Sequence, residues 1–403
     1  MKLSKQIRID STLFSGSISE LLHPPASQIP FLDGLRSIAV LLVISYHFSN
    51  AFMAVYGPNL FSKIPFVADG WVGVDLFFVL SGFFIGGQLW KEFRDQGSIA
   101  VGRFVLRRGF RIWPLYFFTF LCVITCYLIG GHNVSSQEYG WSDLVFITNF
   151  HDRGLVMGGW SLCTEEQFYI VTPLALFVCV RYARSITRYR PWLWGTLLSV
   201  LLLRTFVWLH ITNGHFFEHG PKLFGQIYES SLIHCDGLIM GLIIANVWVT
   251  RKKPALKPVN PGILVVAAVT LTIVLHQFQK EVFDFTVLAL LFGSLVWFGL
   301  QRRVAVFNSR VFYWISRLSF GMYLNHPYMC PWIVRTLLSR LAFTKQLPTL
   351  ANFVGFVLIV LFSAGIALVT FCLVEYPFLQ MRKTVLGRHS SIYTSIDRSP
   401  VLK

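Results

Sequence analysis

The sequence predicts an all-α fold: a polytopic transmembrane helix bundle of about ten spans, with both termini cytoplasmic. Three observations predict it. Of the 403 residues, 54% are hydrophobic and 16% aromatic but only 13% charged, ordinary for a polytopic membrane protein and odd for a soluble one. Long apolar runs recur at the length needed to cross a hydrocarbon layer of about 30 Å. The cations alternate between connections, as the positive-inside rule describes.

The candidate spans lie near 32–52, 71–90, 112–130, 160–180, 192–212, 231–250, 259–277, 282–300, 313–336 and 352–374. With the N-terminus in the cytoplasm, the inside segments are 1–30, 91–111, 181–190, 251–257, 301–317 and 380–403. They hold 26 of the 35 Lys and Arg residues, the opposite-side segments hold seven, and Arg36 and Arg204 fall within spans. The net charge of +16 is therefore mostly topological, which removes the main argument for a nucleic-acid partner. Residues 1–30 and 379–403 read as short cytoplasmic tails around a membrane domain over 31–378. The first thirty residues lack the apolar core of a secretory signal, and no internal repeat suggests an inverted-repeat transporter. The seven cysteines are odd in number and lack metal-ligand spacing, so they are expected in helix contacts rather than in disulfides or a metal site. His210, His215 and His219 likewise lack the partners of a metal site.

Ionisable residues inside spans are costly and are functional candidates by default. In "RSIAVLLVISYH", Arg36 and His47 stand eleven residues apart. On a helix this places them on one face, about 16 Å apart along the axis. Arg36 would lie at the cytoplasmic edge, and His47 near mid-membrane, where a neutral imidazole is a ready proton acceptor. The second span, "GWVGVDLFFVLSGFFIG", contains Asp75, for which Arg36 or His47 is the economical partner. Its glycines Gly73, Gly82 and Gly86 suit close helix approach. In "FVLRRGFRIWPLYF", Arg107, Arg108 and Arg111 cluster at the cytoplasmic edge. They serve either topology and anionic lipid or a phosphate-bearing ligand. In "WSLCTEEQFYIVTP", Glu165 and Glu166 point about 100° apart, so one can face a cavity while the other meets an interface or a cation. His234 and Asp236, Ser319, Tyr323 and His326, and Glu375 each read as packing or capping groups when taken alone.

Together these blocks resemble the acyltransferase family 3 of integral-membrane O-acyltransferases. The resemblance runs from about 31 to 378 and rests on "FLDGLRSIAVLLVISYHF", "GVDLFFVLSGF", "RRGFRIWPLY", "WSLCTEEQFYIVTP", "LSFGMYLNHP" and "VEYPF" in series. It implies a cytoplasmic acyl-CoA donor, commonly acetyl-CoA, with no permanently bound cofactor. The acceptor would be a hydroxyl of a glycan or glycolipid of the cell envelope, acylated across the plasma membrane. It implies that Arg36 and His47 are the family's essential pair, that Arg108 and Arg111, beside Arg107, bind the donor, and that Glu165 is the glutamate of the Trp-Ser-Leu motif. One position departs: His234 stands where the family leads us to expect an arginine, two residues before Asp236. Nothing in the sequence reads as the esterase-like domain appended in some members, so no two-domain relay is expected.

The mechanistic expectation is that His47 takes the acceptor hydroxyl's proton as it attacks the thioester, or carries the acyl group itself, with Glu165 or Asp75 orienting the imidazole. The competing reading is a secondary transporter of a lipid-linked or anionic solute without covalent chemistry.

Overall fold

The computed structural model describes residues 11–25, 28–130, 140–150, 154–180, 185–214, 226–251, 280–302, 304–341 and 343–387. Among them there are helices and turns and no strand. The principal helices are α1 (Ser11–Leu22), α2 (Pro30–Tyr56), α3 (Gly73–Gln96), α4 (Val101–Ile129), α5 (Gly159–Cys179), α6 (Arg190–Ile211), α7 (Asp236–Thr250), α8 (Lys280–Gly299), α9 (Arg310–Trp332), α10 (Pro348–Thr370) and α11 (Tyr376–Leu386). Seven helical segments are long and apolar enough to cross a membrane. Two other expected spans are α7, an apolar helix of 15 residues, and α9, where Arg310, Arg317, Asn325 and His326 interrupt the apolar run. The span expected at 259–277 lies outside the described residues.

Local chemistry sets the helix ends. Pro30 opens α2 with its fixed φ, and Asp33 in the first turn complements the helix dipole. The α3 helix closes on Gly97 at φ +69°, with its N–H on the Phe93 carbonyl at 2.8 Å. Ser309 caps α9 by accepting the Val311 N–H at 3.2 Å.

Helix α2 is central. It packs against α3 on one side and against α9 and α10 on the other, while α7 lies along α3 with α6 and α8 behind it. The α3–α7 approach is set by small residues: a methyl group at Gly82 or Gly241 would collide with the carbonyl of Leu238 or Val79. Gly82→Val is therefore expected to destabilise the fold by about 1–3 kcal/mol or more, seen as a lower unfolding midpoint of the detergent-solubilised protein.

The first and last helices among the described residues, α1 and α11, pack onto the body. In α1, the Glu20 and Leu21 carbonyls accept from Tyr313 Oη and Trp314 Nε1, each at 2.9 Å. Towards the other end, helix continues through a π-helical turn at Phe371–Glu375 into α11 and runs to Leu386. The cysteines need a correction. Cys122, Cys126 and Cys179 are exposed on the outward surface of their helices rather than placed in helix contacts.

Arg204 is fully buried in α6 and spends all five N–H groups. Two reach the Asp236 carboxylate at 2.7 and 3.1 Å, and the others reach the Val282 and Ile233 carbonyls and Thr286 Oγ1 at 2.6–2.7 Å. The pair ties α6, α7 and α8 together. Arg204→Met is expected to destabilise by about 3–5 kcal/mol because Asp236 is left charged and unpaired. Adding Asp236→Leu should restore much of the loss in the same thermal assay.

Candidate active site

A cavity of about 790 Å³ opens at the end of the bundle that carries α1 and α11. Among the described residues, seven cationic side chains line it: Arg36 from α2, Arg107, Arg108 and Arg111 from α4, Arg317 from α9, and Arg382 and Lys383 from α11. Three described carboxylates, Glu20, Asp33 and Glu165, share the wall, so the cavity carries an excess of positive charge. Several guanidinium nitrogens are buried there without an acceptor among the described residues, namely Arg36 Nε, Arg107 Nε, Arg108 Nη2 and Arg317 Nε. Buried donors of this kind need an acceptor, and planar guanidinium forks match phosphate oxygens.

The carboxylates on the wall are already engaged. Asp33 accepts from Ser316 Oγ and Gln28 Nε2, both at 2.7 Å. Glu20 pairs with Arg317 at 2.6 Å and with Lys383 at 3.6 Å at the rim. Glu165 accepts from Ser81 Oγ and from Tyr169 Oη, each at 2.7 Å. The Tyr169 ring in turn faces the Arg108 guanidinium at 5.6 Å. Glu165 thus faces the cavity, while the adjacent Glu166 points away, buried, and accepts from Trp113 Nε1 at 2.9 Å. Glu375, on the π-helical turn, lines a smaller adjoining cavity with Arg36, Arg111 and Arg317.

Beyond the cavity, polar groups continue towards the other end of the bundle. Ser161, one turn before Glu165, meets Tyr323 Oη at 2.6 Å, and both hydroxyls lie 3.2 Å from the Gly158 carbonyl. The buried His326 donates from Nδ1 to the Tyr323 carbonyl at 2.7 Å. Its ring lies 5.2 Å, centre to centre, from that of His47. His47 is exposed on the surface of α2 and stands eleven residues along it from Arg36.

Asp75 is not where the sequence reading puts it. Its Oδ1 bonds His234 Nε2 at 2.8 Å, and both side chains are buried. It pairs with neither Arg36 nor His47. Glu165 also makes its bonds elsewhere, so neither carboxylate orients the His47 ring. The departure at His234 has a physical sense. The two polar groups flanking Cys235 divide their partners, His234 taking Asp75 and Asp236 taking Arg204. Sequence reasoning also misses Arg317, Arg382 and Lys383, which read along the chain as topology signals alone, and the approach of His326 to His47. An imidazole in the ninth span is the available signal for the latter.

At the other end, the buried Asp143 fixes the approach to α5. It accepts from the Leu155 and Val156 N–H groups at 2.7 and 3.3 Å and from Tyr116 Oη at 3.0 Å. Burial pushes its carboxyl above the ordinary range, and those three donors pull it back.

Fold and site together define a class: a multi-pass helical membrane protein with an arginine-lined cavity at one end and polar groups continuing through its interior. Residues 29–370 match the acyltransferase domain of the acyltransferase 3 family, and the chain belongs to that family. Among curated proteins it is similar to the peptidoglycan O-acetyltransferase OatA of Listeria monocytogenes, with 25% identity over 74% of this chain and 49% of the relative. A Staphylococcus aureus protein provisionally named an O-acetyltransferase is 25% identical over 87% of this chain and 57% of the relative. A Bacillus subtilis protein, YrhL, provisionally named a peptidoglycan O-acetyltransferase, is 28% identical over 56% of this chain and 34% of the relative. The chain thus spans about half the length of the first two of these relatives. No solved structure matches it.

Proposed function

We propose that the protein transfers an acyl group, acetyl in the first instance, from acyl-CoA to a hydroxyl of a cell-envelope glycan, across the plasma membrane. The observation that carries this reading is the cavity with seven cations and buried, unpartnered guanidinium nitrogens. Such a site suits the phosphates of CoA. The charge asymmetry of the connections supports putting this end in the cytoplasm. Relatives named peptidoglycan O-acetyltransferases make peptidoglycan the first acceptor to test.

In this reading the phosphates stay among Arg36, Arg108, Arg111 and Arg317. The pantetheine arm extends past Ser81 and Glu165 and brings the thioester towards His47, about 16 Å along α2 from Arg36. The glycan arrives from the other end. His47 takes the hydroxyl proton as the oxygen attacks the thioester carbonyl. The new C–O bond forms, the C–S bond breaks, and the proton passes from the imidazolium to the departing CoA thiolate.

The test is purified protein with acetyl-CoA and soluble peptidoglycan fragments, following thiol release and acetyl esters on the glycan. A protein that only moved a solute would release no thiol. Sidedness has its own check. In a variant whose exposed native cysteines are replaced, a cysteine introduced at Met157 should react with a membrane-impermeant reagent from outside the cell, and one at Gly97 should not. Equal labelling of both from one side would overturn transfer across the membrane.

A further inference from the structure

From the geometry around His326 we infer that this residue is the positioning partner of His47, accepting an N–H of the catalytic imidazole and so fixing its tautomer. The inference rests on the acyl-transfer reading above.

The argument begins with the proton on His326. Its Nδ1 faces the Tyr323 carbonyl at 2.7 Å, with the Met322 carbonyl at 3.3 Å. Carbonyl oxygens only accept, so Nδ1 carries the hydrogen. A neutral imidazole has one N–H, and Nε2 is therefore a lone pair. That atom is buried and has no hydrogen-bond partner among the described residues. The ring next to it is His47, with centres 5.2 Å apart and planes inclined at 51°. An imidazole nitrogen lies about 1.2 Å from its ring centre, so facing nitrogens would be roughly 2.8–3 Å apart, an ordinary hydrogen bond. For this bond the exposed His47 ring must turn about its own side-chain torsion so that the two nitrogens face each other.

The consequence is directional. With one His47 nitrogen donating to His326, the other is left as the lone pair that takes the acceptor hydroxyl's proton. As His47 becomes imidazolium, its N–H to His326 becomes charge-assisted and stronger. In a hydrolytic triad a carboxylate does this for its histidine. Here Asp75 and Glu165 are bonded elsewhere, and a neutral, tautomer-locked imidazole fills the role. The backbone fixes it: α9 presents both carbonyls to Nδ1 within one turn.

Two substitutions separate this role from a merely structural one. His326→Asn keeps an amide N–H for the Tyr323 carbonyl and removes the acceptor at the Nε2 position. His326→Gln reaches the Nε2 position with an amide oxygen and gives up the Tyr323 bond. Acetyl transfer from acetyl-CoA to peptidoglycan fragments is measured for both, with kcat and donor KM separated and unfolding midpoints recorded. The expected result is kcat lowered about 10²-fold or more in the Asn variant with donor KM unchanged, and at least tenfold recovery in the Gln variant. If the role were only to hold the Tyr323 carbonyl, the order would invert, with Asn active and Gln impaired. That order, or equal kcat in both variants, overturns the inference. If the Asn variant does not fold, the Gln variant still decides: kcat within tenfold of wild type supports the role, and a larger loss with a normal unfolding midpoint overturns it. His47→Ala is the control. If it transfers acetyl normally, the acyl-transfer reading itself fails. If it is inactive while the His326→Asn variant keeps the wild-type kcat, only the inference about His326 fails.

Discussion

Replacing His47 with alanine is expected to abolish acetyl transfer while leaving a folded, membrane-inserted protein. The side chain is exposed on the surface of α2, so its removal leaves less of a buried cavity than truncating a core residue would. In the proposed reaction its value lies in chemistry. A positioned general base contributes about 10²–10⁴-fold, and in a pair with His326 the loss should fall at the upper end of that range. The measurement is thiol release from acetyl-CoA by purified variant and wild type, compared at equal folded concentration. Turnover within tenfold of wild type would remove His47 from the mechanism.

The second large effect concerns the donor. Arg108→Ala and Arg111→Ala should raise the Michaelis constant for acetyl-CoA by about 10–100-fold each, as expected from losing one charge-assisted contact of about 1.5–3 kcal/mol. The maximal rate should change less, because these arginines sit on the cavity wall, away from His47. Arg108 is the more exacting test. Its guanidinium lies against the Phe104 and Tyr169 rings at 5.7 and 5.6 Å, and Tyr169 is bonded to Glu165. Lysine in place of Arg108 would keep the charge but lose the planar fork and the stacking, so it should rescue only in part. Donor saturation curves that overlay the wild type would mean that the cluster serves topology alone.

The architecture is legible in the sequence because lipid imposes it. Apolar runs of spanning length and alternate basic connections are written residue by residue along the chain, and α2 to α6 fall where those runs do. Polar pairing is less legible, because partners in a bundle are chosen by packing rather than by sequence distance. Economy assigns Asp75 to the first span. Its real partner, His234, comes from the turn that opens α7, which reaches α3 only because Gly82 and Gly241 let two backbones touch. The Arg204–Asp236 pair is open to inference, since an arginine in mid-span must find an anion, yet nothing in the chain says which one. Arg317, Arg382 and Lys383 show the opposite failure. Their charge satisfies the topology rule, and nothing along the chain asks for a second use. The turn of α9 that sets His326 beside His47 depends on how α9 lies against α2, which no local pattern encodes.

The arginine-lined cavity also has a kinetic meaning. Fixed cations in a low-dielectric recess project a potential into solution, and a polyanion arriving from water is drawn towards the opening faster than free diffusion alone would bring it. Donor capture should therefore slow as ionic strength rises and the Debye length shrinks from about 10 Å at 0.1 M towards 3 Å at 1 M, while the rate at saturating donor stays nearly constant. The Glu20 carboxylate at the rim, paired with Arg317 and Lys383, subtracts from that attraction. Glu20→Gln should consequently speed association of acetyl-CoA and make it more sensitive to salt, a gain that stopped-flow mixing at two ionic strengths would register.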